Sequence, residues 1–190
     1  MSTVCVTDAE LVALARQGDH QAFGELVTRH QAAVYRAALA AVGSAAEAED
    51  AAQEAFISAY RRLGSFRGDA SFKTWLLTIA WNHAINRRRR ITRWLNRGSN
   101  PEVLADPVSA TPSPEQAAID AQLRRDITAE IRKLSPKLRD ALLLAQSGDY
   151  GYDEIAAMLG TATGTVKWRV SEARRLIKMR LRERGYADVG

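Results

Sequence analysis

The chain has 190 residues, 46% of them hydrophobic but only 7% aromatic, and a formal net charge of +5. Alanine and leucine dominate the apolar set, which favours an all-α fold and argues against a β-sandwich. Cys5 stands alone and His20, His30 and His83 are dispersed, so the sequence holds neither an internal disulfide nor a zinc-binding cluster, and no cofactor or metal is expected.

The longest apolar stretch, 31–46, is interrupted by Arg36 and falls short of the roughly 20 residues that cross a bilayer. The N-terminus lacks a signal pattern, so a cytoplasmic protein without a membrane contact is expected. The charge is arranged in blocks: residues 1–60 net −5, 61–97 net +9, 98–130 net −4 and 131–190 net +5. The first basic block interleaves ten cations with Trp75, Trp81 and Trp94, a composition suited to nucleic acid, although a solvated face is the simpler reading of any one charge run.

Thr7 with Glu10 three residues later forms a capping box that opens a short helix ending near Gly18. Asp19 caps a longer helix to about Val42, in which Phe23, Leu26, Val27, Val34, Ala38 and Leu39 recur at helical spacing. A third helix follows Gly43 and Ser44 and runs to about Leu63. Its apolar stripe is Ala48, Ala52, Ala55, Phe56, Ala59 and Leu63, while Asp50, Gln53, Glu54, Ile57 and Arg61 share the outer face. An isoleucine among charged residues is either a tolerated surface residue or part of a docking surface for a partner helix. A glycine-bearing loop, 64–70, precedes a fourth helix from Ser71 to about Arg93, which buries Phe72, Leu76, Ile79 and either His83 or Ala80 and carries the run Arg87, Arg88, Arg89 and Arg90.

Residues 97–113 hold Pro101, Pro107 and Pro112 among serines without helical period, which marks a linker between an N-terminal domain, 1–96, and a C-terminal domain, 114–190. Its 17 residues reach about 58 Å when extended but average about 23 Å as a free coil. Sites more than one DNA turn apart, about 35 Å per turn, would need the extended form, so the free protein is expected to be compact or variable. Glu102 and Asp106 are either solvated linker charge or suited to a basic channel.

Beyond the linker, helices are expected over 114–133, 136–147 and 153–159, with a long helix starting near Thr163; Ser113–Pro114 and Ser135–Pro136 supply caps with a first-turn proline. The segment from Tyr152 to Arg184 reads as a helix-turn-helix: Ile155, Ala156 and Leu159 on the first helix, Gly160 at the turn, and Val166, Val170, Ala173 and Ile177 on one side of the second. Trp168, Ser171, Glu172 and Arg175 project from the opposite side, with Lys167, Arg174 and Lys178 on a flank where phosphates would meet them. A plain helical hairpin is the alternative.

AEDAAQEAFISAYRRLGSFRGDASFKTWLLTIAWNHAINRRRR (Ala48–Arg90) resembles the core-binding and minus-10 region of bacterial extracytoplasmic-function sigma factors of the sigma-70 family, and EIAAMLGTATGTVKWRVSEARR (Glu154–Arg175) resembles their minus-35 region. The motifs occur in the expected order across the proline-rich gap. The resemblance implies a protein that binds core RNA polymerase, recognises promoter DNA and helps to open it, with an anti-sigma factor as a further partner and no small-molecule substrate. It implies that Asp50, Gln53, Glu54 and Ile57 dock on polymerase. It likewise puts Arg67, Phe72, Lys73, Trp75, Trp81, Asn82 and Arg87, Arg88, Arg89 and Arg90 near the minus-10 strand, although plain core packing competes for Phe72 and Trp75. Thr163, Thr165, Lys167, Trp168, Ser171, Glu172, Arg174, Arg175 and Lys178 would face the minus-35 element. Two positions depart from the family pattern: Trp168 replaces the usual serine after GTVK, and Glu172 stands where a basic residue is common.

An autonomous helix-turn-helix regulator would not need the FKTWLLTIAWN segment, and a sigma-like adaptor that binds only regulatory proteins would have dispensable basic surfaces. No nucleophile with a base and no glycine-rich phosphate loop points to an enzyme.

Overall fold

A computed structural model describes residues 6–95 and 114–186. Cys5, Ser113 and the expected linker 97–113, with Glu102 and Asp106, lie outside the described residues, as do the side chains of 95 and 114–120. The chain divides into two compact units, Met1–Ala105 and Asp106–Gly190. Among the described residues all regular structure is helical.

The first unit comprises α1 (Asp8–Arg16), α2 (His20–Val42), α3 (Ala45–Arg62), a 3-10 turn (Leu63–Ser65) and α4 (Phe72–Leu95). The Thr7 hydroxyl accepts from the Glu10 amide at 3.3 Å and the Glu10 carboxylate accepts from the Thr7 amide at 2.7 Å, completing the capping box. Asp19 accepts from the amides of Gln21 and Ala22 at 2.8 and 3.0 Å. Gly43 ends α2 at φ 73°, a left-handed geometry that glycine adopts without a Cβ penalty.

Helices α2, α3 and α4 pack against one another, and α1 lies on α2. The α3 core stripe is almost all alanine, Ala48, Ala51, Ala52, Ala55 and Ala59, and such small side chains permit close helix approach. Larger residues from the neighbouring helices fill the remaining space: Leu26, Val34, Leu76 and Leu77 are fully buried, each worth roughly 1.5–3 kcal/mol of transfer free energy. Ala80 takes the buried α4 position, whereas His83 is half-buried at the edge.

The second unit comprises α5 (Pro114–Lys133), α6 (Pro136–Gln146), α7 (Tyr152–Leu159) and α8 (Thr163–Glu183). α5, α6 and α7 all pack on α8, which contributes buried Val166, Val170, Ala173 and Leu181. Gly160 closes α7 at φ 59°. Its left-handed backbone turns the chain toward α8.

An ionic cluster ties α5 to the end of α8. Glu130, only 1% exposed, accepts from Lys133 Nζ at 2.8 Å and lies 2.8 Å from Arg184 Nη2 and 3.6 Å from Arg180 Nη1. Nearby, the Tyr186 hydroxyl donates to Asp126 at 2.6 Å and Arg184 Nη1 donates at 2.8 Å. The hydrogen bond from Lys133, helped by all three cations, holds the Glu130 carboxyl below its ordinary range against the opposing effect of burial.

Candidate polymerase and promoter interfaces

On the outer face of α3, Gln53, Asp50, Glu54 and Ile57 are all exposed, Ile57 at 46%. The structure adds a cation that the linear pattern hid. Arg87 reaches across from α4 and its guanidinium donates to Glu47, Asp50 and Glu54, the last at 3.1 Å. His83 Nδ1 stands 3.4 Å from the second Glu54 oxygen. The hydrogen bond to Glu47, with the charges of the three carboxylates, pushes the Arg87 pKa up. Arg87, which the sequence groups with the minus-10 set, is thus engaged by three carboxylates on the α3 side of α4. The same face continues into Tyr60, which contacts the Phe23 ring edge at 4.9 Å and hydrogen-bonds His20 Nδ1 at 2.9 Å.

The run of four arginines points in four directions because successive helical residues are separated by about 100°. Arg88 is half-buried and donates to the Ala41 carbonyl at 3.3 Å, on the side of α4 that meets α2. Arg89 and Arg90 are exposed. Trp81 is 2% exposed and Phe72 4%, so core packing accounts for both and neither offers a surface to a base. Trp75, Thr78, Asn82, Asn86, Arg89 and Arg93 fall along one side of α4 at helical spacing, with the last four exposed and the first two half-buried. Thr78, Asn86 and Arg93 were not singled out by motif, but the same wheel that explains Arg87 finds them.

At the start of this ridge lies an aromatic cluster. Phe66 packs edge-on to Phe72 at 5.8 Å and tilted on Trp75 at 5.2 Å, and His30 lies 5.7 Å from Phe72. Arg16 fixes the loop from below: Nε donates to the Leu63 carbonyl at 3.1 Å, a second nitrogen donates to the Phe66 carbonyl, and the guanidinium lies 5.9 Å from the Phe66 ring centre. Arg67 is exposed on that loop and Lys73 is half-buried at the first turn of α4. Phe66 and Arg16 are the residues here that sequence reasoning missed, since their meeting depends on a contact about 50 positions apart.

In the second unit, α8 presents a polar face opposite its core. Trp168 is 62% exposed; Ser171 and Arg175 are exposed and Glu172 is half-buried. Glu172 and Arg175 form a two-pronged pair, Nε and Nη2 each donating to a separate oxygen at 2.8 Å. That pair lowers the Glu172 pKa and raises that of Arg175, the mutual hydrogen bond being the largest cause in both. Thr163 donates to Asp153 at 2.6 Å, locking the start of α8 to α7, and Thr165 is half-buried. Lys167, Arg174 and Lys178 are exposed on the flank, Lys167 Nζ lying 6.0 Å from the Tyr152 ring centre. Arg174 and Lys178 also border an apolar groove floored by Ile127, Ile131, Leu142 and Ile177.

Comparison with known proteins agrees with both halves. The Sigma-70 region 2 family matches residues 26–94, from α2 to the end of α4, and the Sigma-70 region 4 family matches residues 124–177, from α5 into α8. The RNA polymerase sigma-H factor of Pseudomonas aeruginosa is 36% identical over 182 residues, covering 90% of this chain and 91% of that protein. The ECF RNA polymerase sigma-E factor of Escherichia coli is 35% identical over 178 residues, covering 90% and 93%.

The chain is an extracytoplasmic-function sigma factor of the sigma-70 family. This sigma factor is accordingly a transcription initiation factor whose partners are core RNA polymerase and promoter DNA. Two solved structures share its fold at 27% identity: CnrH in complex with the cytosolic domain of CnrY, with a TM-score of 0.63 over 93% of this chain and 97% of that one, and the sigma factor RpoE in complex with the anti-sigma factor NepR from Bartonella quintana, with a TM-score of 0.57 over 84% and 96%. Among the described residues, no helix of the sigma factor is long and apolar enough to cross a membrane, and no group of three or more histidine, cysteine, aspartate and glutamate residues is arranged to hold a metal ion.

Proposed function

We propose that the sigma factor divides its work among three surfaces. The α3 face, Asp50, Gln53, Glu54 and Ile57, docks on core polymerase, with Arg87 holding its carboxylates in register. The α4 ridge from Trp75 to Arg93, with Arg67, Lys73 and Arg90, follows the minus-10 strand, and the polar face of α8 reads the minus-35 element. The single observation that carries this reading is the α4 ridge: a continuous line of half-exposed indole, exposed amides and exposed arginines opposite a packed core. Aromatics and amides suit unstacked bases, and arginines suit the phosphates between them.

The boundaries 1–96 and 114–190, joined by 97–113, are the divisions along which these tasks separate. An anti-sigma factor is proposed as a regulatory partner because similar sigma factors have been solved in complex with such proteins. The chain is proposed to act in the cytoplasm and to catalyse no reaction itself. Run-off transcription with purified core polymerase and a promoter library tests the whole reading: transcripts that start at defined promoters only when this chain is added are expected. Tight sequence-specific DNA binding without any polymerase dependence would instead support the autonomous regulator.

A further inference from the structure

Trp168 is an expensive residue to leave in water, and its position says what would cover it. Trp81 is buried and Trp75 half-buried in the aromatic cluster. Trp94 is also exposed but ends the described part of the first unit. Trp168 is different because it lies within a well-packed helix, with described turns on either side, and is still 62% exposed. Its buried helical neighbours Val166, Val170 and Ala173 lie on the opposite side of α8, so no rotation of the side chain brings the indole into this unit's core.

We infer that Trp168 is a specificity-determining residue that recognises a thymine in the minus-35 element through the C5 methyl group and the adjacent O4. This deepens, and rests on, the proposed minus-35 role of α8. Trp168 is the sixth residue of α8, within the N-terminal part of a recognition helix that meets base edges in the major groove. There the bases stay stacked, so an indole has no base face to stack on and meets only edges. The C5 methyl of thymine is the apolar group on those edges, and next to it O4 accepts hydrogen bonds. Indole has the matching pair: a broad apolar surface and one N–H donor, with no acceptor. Guanine and adenine edges present acceptors but no methyl, and cytosine presents a donor that indole cannot satisfy.

The surroundings favour DNA over a protein partner as the cover. Arg175 shares the exposed face, and Lys167, Arg174 and Lys178 flank it, a setting that attracts a polyanion. Glu172, the acidic exception, has both oxygens engaged by Arg175. That pairing reduces its repulsion of phosphate and holds Arg175 about two turns beyond the indole.

The test uses holoenzyme assembled from core polymerase and the full chain. Selection from a randomised promoter library first gives its minus-35 element, and each thymine in that element is then replaced singly by uracil, which keeps O4 and removes only the methyl. The wild type should lose about fourfold in promoter binding at one or two positions, the effect of one buried methyl group. Trp168→Ala should be indifferent to the same replacements, while Trp168→Phe, which keeps an apolar ring, should retain part of the sensitivity. Equal uracil sensitivity in wild type and Trp168→Ala overturns the inference, as does a selected element without thymine or one indifferent to uracil. If Trp168→Ala weakens a protein complex and leaves the uracil response unchanged, the indole is a protein-docking residue and the inference fails. A selection that yields no minus-35 preference at all removes the role of α8 itself, and with it this inference, so failure of the two readings is distinguishable.

Discussion

The basic end of α4 and the recognition face of α8 have similar compositions, yet they use their charges differently. In α4, Arg87 is committed to three carboxylates of α3 and Arg88 to a carbonyl at the end of α2, leaving Arg89, Arg90 and Arg93 exposed. In α8, Lys167, Arg174, Arg175 and Lys178 all remain exposed, and the acidic residue within the face is itself paired with one of them. Each helix has neighbours on several sides and draws some cations inward: α4 turns Arg87 and Arg88 onto α3 and α2, whereas α8 turns Arg180, near its C-terminal end, onto Glu130 and keeps the cations of its recognition face outward. Local charge density therefore overstates the exposed cationic surface at the end of α4 and describes it better on this face of α8.

The largest test of this contrast is Trp81→Ala. If Trp81 is core, truncation should destabilise the chain by about 3–5 kcal/mol, as for other buried aromatic residues, and thermal unfolding should show it without any DNA present. A folded variant of unchanged stability with a defect confined to promoter opening would return Trp81 to the DNA surface.

Acid titration separates the two units next. The Glu130 pKa is depressed in the folded state, so its contribution to stability is fully present above the ordinary glutamate value, 4.5, and is lost as pH falls through the lower folded value. Acid unfolding monitored by circular dichroism should steepen below about pH 4.5, and Glu130→Gln should flatten that dependence while lowering stability at neutral pH. An unaltered acid profile in the variant would show that the cluster around Glu130 contributes nothing.

Arg87→Ala and Arg89→Ala form a smaller but sharper pair. Removing Arg87 should cost about 1 kcal/mol of stability, since it links three partly exposed carboxylates in one network, and should weaken binding to core polymerase. Removing Arg89 should leave the melting temperature unchanged, weaken open complexes and lower the salt slope of DNA binding by about one. Interchanged phenotypes would contradict the orientation of the arginine run.

The subtlest effect belongs to Glu172→Ala, which frees Arg175 without disturbing buried residues. Preference at one or two minus-35 positions should broaden in binding selections, with no change in thermal stability. Lys178→Ala should weaken all sequences alike. An unchanged preference in Glu172→Ala would mean that positioning of Arg175 has no role in base recognition.

Much of this was legible in the sequence because helix boundaries carry local chemistry. Thr7 with Glu10, Asp19, Gly43 and Gly160 announce their caps without help from the rest of the chain, and the expected α3 stripe includes the buried Ala48, Ala52, Ala55 and Ala59 but misses the buried Ala51 and includes Phe56, which is only half-buried. The motifs likewise bring out the family. What escaped is tertiary. Nothing near Arg87 in sequence says that Glu47, 40 residues earlier, will take its proton-rich fork, and nothing in the 64–70 loop says that Arg16 will hold Phe66 against Trp75. The buried Glu130 similarly looks like an ordinary surface glutamate until the end of α8 brings Arg180 and Arg184 to it. Helical phase recovers the exposed Asn86 and Arg93 once the core side of α4 is known; it does not identify the long-range partner of a charged side chain.

The central claim, that helical phase and not position in the basic run selects the promoter-facing residues of α4, is tested most directly by site-specific photo-crosslinking in a reconstituted open complex. A photoreactive amino acid is placed singly at Asn82, Asn86, Arg89, Arg88 and Trp81. The account predicts adducts to the minus-10 DNA strand from Asn82, Asn86 and Arg89 and none from Arg88 or Trp81. Crosslinks of equal yield from all five positions, or from Arg88 and Trp81 instead of the others, would contradict it.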